Sequence, residues 1–229
     1  MESITKMVMR LFVAKEKWNL RYKLNESKPI ITDCKKLANG YELKGIFGVN
    51  CLKPTLEFSL RYTIENNKLN IAVTYDVSKY VQCLPRFGFE FALDKKYSEF
   101  AYIAYGPYES YVDKHVACEY GFYESNYNEN YDHNYVRPQE SGSHYDSTYL
   151  GVKNLFNLTA EKPFSFSVNP YTTKQLYQTK HNFELPQNDF INVCVDLAMR
   201  GVGSSSCGPE LDKKYEIPKK YRNVFKFEF

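Results

Sequence analysis

The side chains best equipped for chemistry lie between Tyr135 and Leu150, in the run Y-V-R-P-Q-E-S-G-S-H-Y-D-S-T-Y-L. Arg137, Gln139, Glu140, His144 and Asp146 could together hydrogen-bond a polyhydroxylated ligand, or they could brace one another. Pro138 fixes its own φ and drives Arg137 toward an extended conformation, while Gly142 can take the positive φ of a sharp turn. The pattern predicts a polar loop between aromatic-rich strands, where scaffolds commonly carry binding groups. The simpler expectation is an Arg137–Glu140 ion pair that locks the loop, because structural ion pairs outnumber sites.

Two further stretches carry polar groups. Tyr105 to Lys114, Y-G-P-Y-E-S-Y-V-D-K, places a Gly106-Pro107 turn before alternating aromatic and acidic residues. Glu109 and Asp113 either organise a pocket or pair with Arg137 or Lys114 to staple strands, and stapling is the stronger expectation. Gly201 to Pro209, G-V-G-S-S-S-C-G-P, is a loop whose small residues allow close backbone approach. The hydroxyls of Ser204, Ser205 and Ser206 and the thiol of Cys207 are candidate contacts to a sugar. Use of Cys207 as a nucleophile needs a base partner, and none is identifiable. His115, His133, His144 and His181 show no metal-ligand spacing, and the six cysteines contain no C-x-x-C pair, which leaves out the usual zinc-ribbon and thioredoxin spacings.

Those residues need elements to hold them. The 229 residues fit one domain spanning 1–229, long enough to bury a substantial core. Basic and acidic residues are interspersed around a net charge of +3, which gives no nucleic-acid footprint. No apolar run approaches membrane-spanning length, and the short apolar run before Lys15 does not fit a signal peptide, so a cytoplasmic protein with reduced thiols is expected. Helical signals are nearly absent. Strands are expected at 8–14, 18–24, 41–49, 55–64, 69–77, 87–93, 99–105, 149–158, 164–168, 190–197 and 224–229, giving about twelve in all. Glu65 to Lys68, E-N-N-K, joins two of them as a hairpin. Gly121 to Tyr135, poor in aliphatic residues, reads as a long surface excursion. No crossover helices means an all-β fold, a large antiparallel sandwich.

Five stretches in order carry a resemblance: L-P-R-F-G at 84–88, the motifs at 105–114 and 135–142, N-P-Y-T-T-K-Q-L at 169–176, and the loop at 201–209. Together they resemble the C-terminal, small-chain domain of glycoside hydrolase family two β-galactosidases. The resemblance implies a twisted β supersandwich, galactose-mutarotase-like, that follows a catalytic barrel and finishes the rim of its active site. It implies a catalytic barrel domain or large chain as partner, a galactoside as the carbohydrate, no membrane, and room for a homo-oligomer. The family's catalytic glutamates lie on the barrel, and its magnesium and sodium sites lie in other domains, so this chain is expected to be inactive by itself and to hold no cofactor. It reads as a C-terminal portion of a longer enzyme or as a separate small chain. The family's loop ends in a Trp that forms an apolar platform, and Cys207 stands there here. A thiol cannot supply that surface.

The function expected is therefore that of a non-catalytic domain that helps hydrolysis of terminal β-D-galactosides, with the substrate contacts carried by Ser204–Cys207 and by Arg137, Glu140 and His144. Two alternatives compete. A free-standing carbohydrate-binding module would use the Tyr-rich strands for stacking. An aldose 1-epimerase would need an acid and a base facing each other across a sugar ring, and His144 lies too near Glu140 in sequence to do so easily.

Overall fold

The computed structural model describes residues 8–10, 24–49, 54–82, 84–203 and 210–229, apart from the side chains of 8–10 and of 25. Its strands are β1 (Val8–Arg10), β2 (Lys28–Leu37), β3 (Gly40–Gly48), β4 (Leu56–Glu65), β5 (Lys68–Val77) and β6 (Arg86–Asp94). They continue with β7 (Glu99–Gly106), β8 (Glu119–Asn126), β9 (Ser143–Val152), β10 (Phe156–Asn169), β11 (Phe190–Met199) and β12 (Lys220–Glu228). One six-residue helix, α1 (Thr173–Gln178), starts in a capping box between Thr172 and Gln175.

Among the described residues all the strand pairs are antiparallel, in the order β1-β6-β11-β10-β12-β5-β4-β3-β2, with β9 beside β10, β7 beside β9 and β8 beside β7. The fold is an all-β open sandwich, and β10 is its corner. Residues 157–160 of β10 pair with β12, whereas residues 165–169 pair with β11, and β9 follows both halves through two register shifts. Pro163 sits in the bend, where it has no N–H to give to a ladder. Asn223 holds the bend from β12: Lys162 N–H donates to its Oδ1 at 3.0 Å, and its Nδ2 donates to Lys162 O at 3.0 Å.

The core lies between the two halves of the folded sheet and is largely aromatic. Phe87, Phe89 and Phe91 of β6 meet Phe225, Phe156 and Tyr75 in edge-to-face contacts, such as Phe89–Phe225 at 5.7 Å and 84°. Phe166 of β10 packs edge-on to Phe100 and Tyr102 of β7. This wall fixes the strand ends from which the polar loops leave.

The expected hairpin is present. Asn66 and Asn67 both have positive φ, which two-residue turns of this kind require and which Asn tolerates, and Glu65 pairs with Lys68. The strands expected at 41–49, 55–64, 69–77, 87–93, 99–105, 190–197 and 224–229 correspond to β3, β4, β5, β6, β7, β11 and β12. Three expectations fail. The polar loop ends at Gly142, and Ser143 to Val152 is strand β9, buried by pairing on both edges. The single strand expected at 149–158 is a hairpin that turns at Asn154, a residue with φ of 61°. The surface excursion begins with strand β8, whose tyrosines and Phe122 pair across β7 in place of aliphatic residues. Strand β2, rich in Lys and exposed on its surface, gave no periodic signal. The strand expected at 18–24 falls outside the described residues except at Leu24.

Asn223 is fully buried, so removing its amide strands both polar groups of Lys162 at the corner. Asn223→Ala is expected to lower unfolding free energy in urea by about 2 kcal/mol with the m-value unchanged. An unaltered midpoint would show that the corner holds without it.

Candidate functional site

The polar groups converge at one end of the sandwich, where β6 begins, β7 and β11 end and β9 starts. Arg86 is the first residue of β6 and is buried, at 6% exposure. Its Nε donates to Asp196 Oδ1 at 3.0 Å and its Nη2 to Asp196 Oδ2, a bidentate pairing, while Nη1 donates to Glu140 Oε2 at 2.9 Å. A register shift between Asp196 and Ala198 of β11 makes room for this pairing. Burial alone would lower the pKa of Arg86, but the charges of Asp196 and Glu140 outweigh it and raise it. Burial pushes the Glu140 carboxyl above the usual carboxylate range, with Arg86 opposing.

The expected Arg137–Glu140 ion pair is therefore absent. Pro138 is buried and turns the chain, leaving Arg137 in solvent while Glu140 enters the network around Arg86. Arg86 lies in a motif visible in the sequence, but a cation at a strand start carries no sign of its partners.

Glu109 is the second hub. Its carboxylate accepts from Lys114 Nζ at 2.5 Å, Tyr135 Oη at 2.9 Å and the Gly142 N–H at 3.1 Å. The expected stapling to Lys114 is present. Gly142 has φ of 70°, and a Cβ there would meet the Asn169 side chain at 2.6 Å. Asp113 does something else: its two oxygens accept from the Val202 N–H at 3.0 Å and the Gly203 N–H at 2.8 Å. It thereby fixes the entry to the 201–209 loop. The close approach requires Gly201, where a Cβ would lie 2.6 Å from the Asp113 oxygens. Ser204, Ser205, Ser206 and Cys207 lie outside the described residues.

His144 is buried, at 1% exposure, and reaches no solvent-facing surface. Its Nε2 lies 2.7 Å from Asn130 Oδ1 and its Nδ1 3.3 Å from Tyr105 O, with the Tyr102 ring 4.2 Å away. A neutral imidazole can donate to only one of these acceptors, and the shorter contact is the one to Asn130. Burial pushes the pKa of His144 down to about 4, against the pull of Tyr105 O and Glu109. Asn130 donates onward to Gly142 O at 2.8 Å and Val168 O at 3.2 Å, and Asn169 donates to Ser141 O at 2.8 Å. Asn130 was invisible in advance, because an Asn within an Asn-rich polar run looks like any solvated amide.

This end of the molecule thus offers the backbone of Val202 and Gly203 held by a carboxylate, set on a buried ionic and amide layer. The family model described as beta galactosidase small chain matches residues 12–229. The chain belongs to the β-galactosidase small-chain family. The β-galactosidase of Actinobacillus pleuropneumoniae is 39% identical over 175 residues, covering 76% of this chain and 17% of that protein. That of Staphylococcus xylosus is 32% identical over 197 residues, covering 82% and 20%, and that of Kluyveromyces lactis is 32% identical over 176 residues, covering 74% and 16%. The chain therefore spans at most a fifth of the length of these relatives.

The burial of His144 predicts an acid-sensitive stability. His144 binds a proton at about pH 4 folded and at about pH 6.5 unfolded, so between those values the unfolded chain holds more protons. Stability is then fully present above pH 6.5 and lost as the pH falls toward 4, by an amount on the order of 3 kcal/mol. The raised Glu140 acts with the opposite sign but is common to both proteins in a comparison with His144→Gln. Urea midpoints from pH 4 to 7 should fall more steeply for the native chain than for that variant, and parallel curves would contradict the assignment.

Proposed function

We propose that this chain is the non-catalytic C-terminal part of a β-galactosidase. Its loop end completes the rim of an active site whose catalytic carboxylates belong to a partner domain or large chain, in the hydrolysis of terminal β-D-galactosides. The observation that carries this reading is the Asp113 carboxylate, which holds the backbone of Val202 and Gly203 in a fixed geometry at the mouth of the 201–209 loop.

Two features support it. The carboxylates at this end are engaged: Glu140 by Arg86, Glu109 by Lys114, Tyr135 and a backbone N–H, and Asp113 by the loop. A retaining glycosidase needs two carboxyls about 5 Å apart and free to face the scissile bond. Such committed acceptors suit a support better than a catalyst. The second feature is exposed apolar surface. Among the described residues, five large apolar side chains are more than two-thirds exposed, and four of them flank the Glu109 hub: Tyr108, Val116, Val136 and Phe183. Tyr108 adjoins Glu109, Val136 adjoins Tyr135, and Asn182 N–H donates to Val136 O at 3.0 Å, which places Phe183 beside them. Such a patch suits a protein interface.

The test is hydrolysis of nitrophenyl β-D-galactoside by this chain, by the remainder of its β-galactosidase polypeptide, and by the two combined. Turnover is expected only from the combination. Asp113→Ala is expected to lower kcat/KM of the assembled enzyme by about tenfold through a misplaced loop, with assembly intact. Hydrolysis by this chain alone would overturn the proposal.

A further inference from the structure

A second groove lies about 20 Å away along β9, six residues from Ser143 at 3.4 Å each. Its volume is about 910 Å³, and it is bounded by the ends of β7, β8, β9, β10 and β12. Tyr149 is one of its aromatic lining residues. The ring of Tyr149 lies over Gly151, where a Cβ would overlap its hydroxyl, and the hydroxyl donates to Asn157 Oδ1 at 2.6 Å. Gly151 and Asn157 face each other across β9 and β10, so the ring is laid along the sheet and pinned at its tip. The ring is half-buried, packed at its hydroxyl end against the Gly151 backbone, and forms part of the groove's lining.

The groove's charges decide its ligand class. Of its four glutamates, Glu99 is paired with Lys153, and Glu228 is paired with Lys68 at 2.6 Å. Glu124 and Glu129 make no ion pair among the described residues. The amide of Asn126 stands near them in the same lining. Hydroxyl groups are good donors to such carboxylates and amides, and an aromatic face receives the C–H face of a pyranose. An anionic ligand would be repelled by the two remaining carboxylates, and a volume of this size accommodates more than one sugar ring.

We propose that this groove binds a neutral saccharide, with one pyranose stacked on Tyr149 and its hydroxyls taken by Glu124, Glu129 and Asn126. The site is separate from the loop end and does not depend on the rim function proposed above. It would hold a chain of sugars, or a carbohydrate surface, against the small-chain domain.

The full chain is titrated calorimetrically with lactose, cellotetraose, maltotetraose and tetragalacturonate, and the binders are followed by amide chemical shifts. At least one neutral saccharide is expected to bind with millimolar Kd and to shift Gly151, Lys153 and Asn157, and tetragalacturonate is expected not to bind. Tyr149→Ala should weaken binding at least tenfold. Because that variant also removes a packed ring, Glu124→Lys, on the exposed edge strand, is the second probe and should weaken binding similarly without altering Tm. Absence of binding by every neutral saccharide would overturn the proposal. So would shifts confined to Val202 and Gly203, or affinity unchanged by both substitutions.

Discussion

A guanidinium sealed between two carboxylates governs the loop end of this molecule. Arg86 joins Asp196 on β11 to Glu140 in the loop before β9, so one side chain ties a strand start, a neighbouring strand and the connection to a third. Removing one partner from such a buried network leaves an uncompensated charge, at a cost of roughly 3–5 kcal/mol. That is a large fraction of what a domain has to spare. The arrangement therefore tolerates few conformations of residues 138–142, and Glu109, Asn130 and Asn169 remove most of the rest by bonding the backbone of 141 and 142.

Rigidity at this end has its source in the sandwich itself. β10 contributes to both halves of the sheet, and the aromatic wall along β6, β10 and β12 leaves the strand ends little freedom to shift, because dense interiors transmit displacement instead of absorbing it. The buried polar layer sits directly on that wall: His144 packs on Tyr102 and Phe166 while bonding Asn130. Aromatic packing positions the strands, the ionic layer positions the loops, and Asp113 passes that order to the backbone of Val202 and Gly203.

The sequence made the strands readable wherever one face is wet and the other dry. β5 alternates cleanly, and the Asn-Asn turn before it has a stereochemical cause, so both were legible. β8 was not, because its half-buried positions are Gly121, Tyr123, Ser125 and Asn126 and so carry no aliphatic rhythm. β9 was not, because its start is a line of Ser, His, Tyr and Asp, polar types that read as solvated although Ser143 and His144 are buried. The site divides the same way. Glu140, His144, Glu109 and the 201–209 loop stood out by type and motif, but their partners did not. Arg86, Asp196 and Asn130 come from strands or runs 54, 110 and 14 residues away from the groups they hold, a distance that periodicity does not report. Arg137, the obvious cation by proximity, is turned outward by the proline that follows it.

The central claim is that the end built on Arg86, Glu109 and Asp113 is the face turned to the catalytic part of the enzyme. Hydrogen–deuterium exchange of this chain, free and within the assembled β-galactosidase, tests it most directly. The account predicts that assembly slows exchange at 108–116, 135–140, 182–184 and 201–203, and leaves 124–129 and 151–157 unchanged. Protection gained at the second set and absent from the first would contradict it.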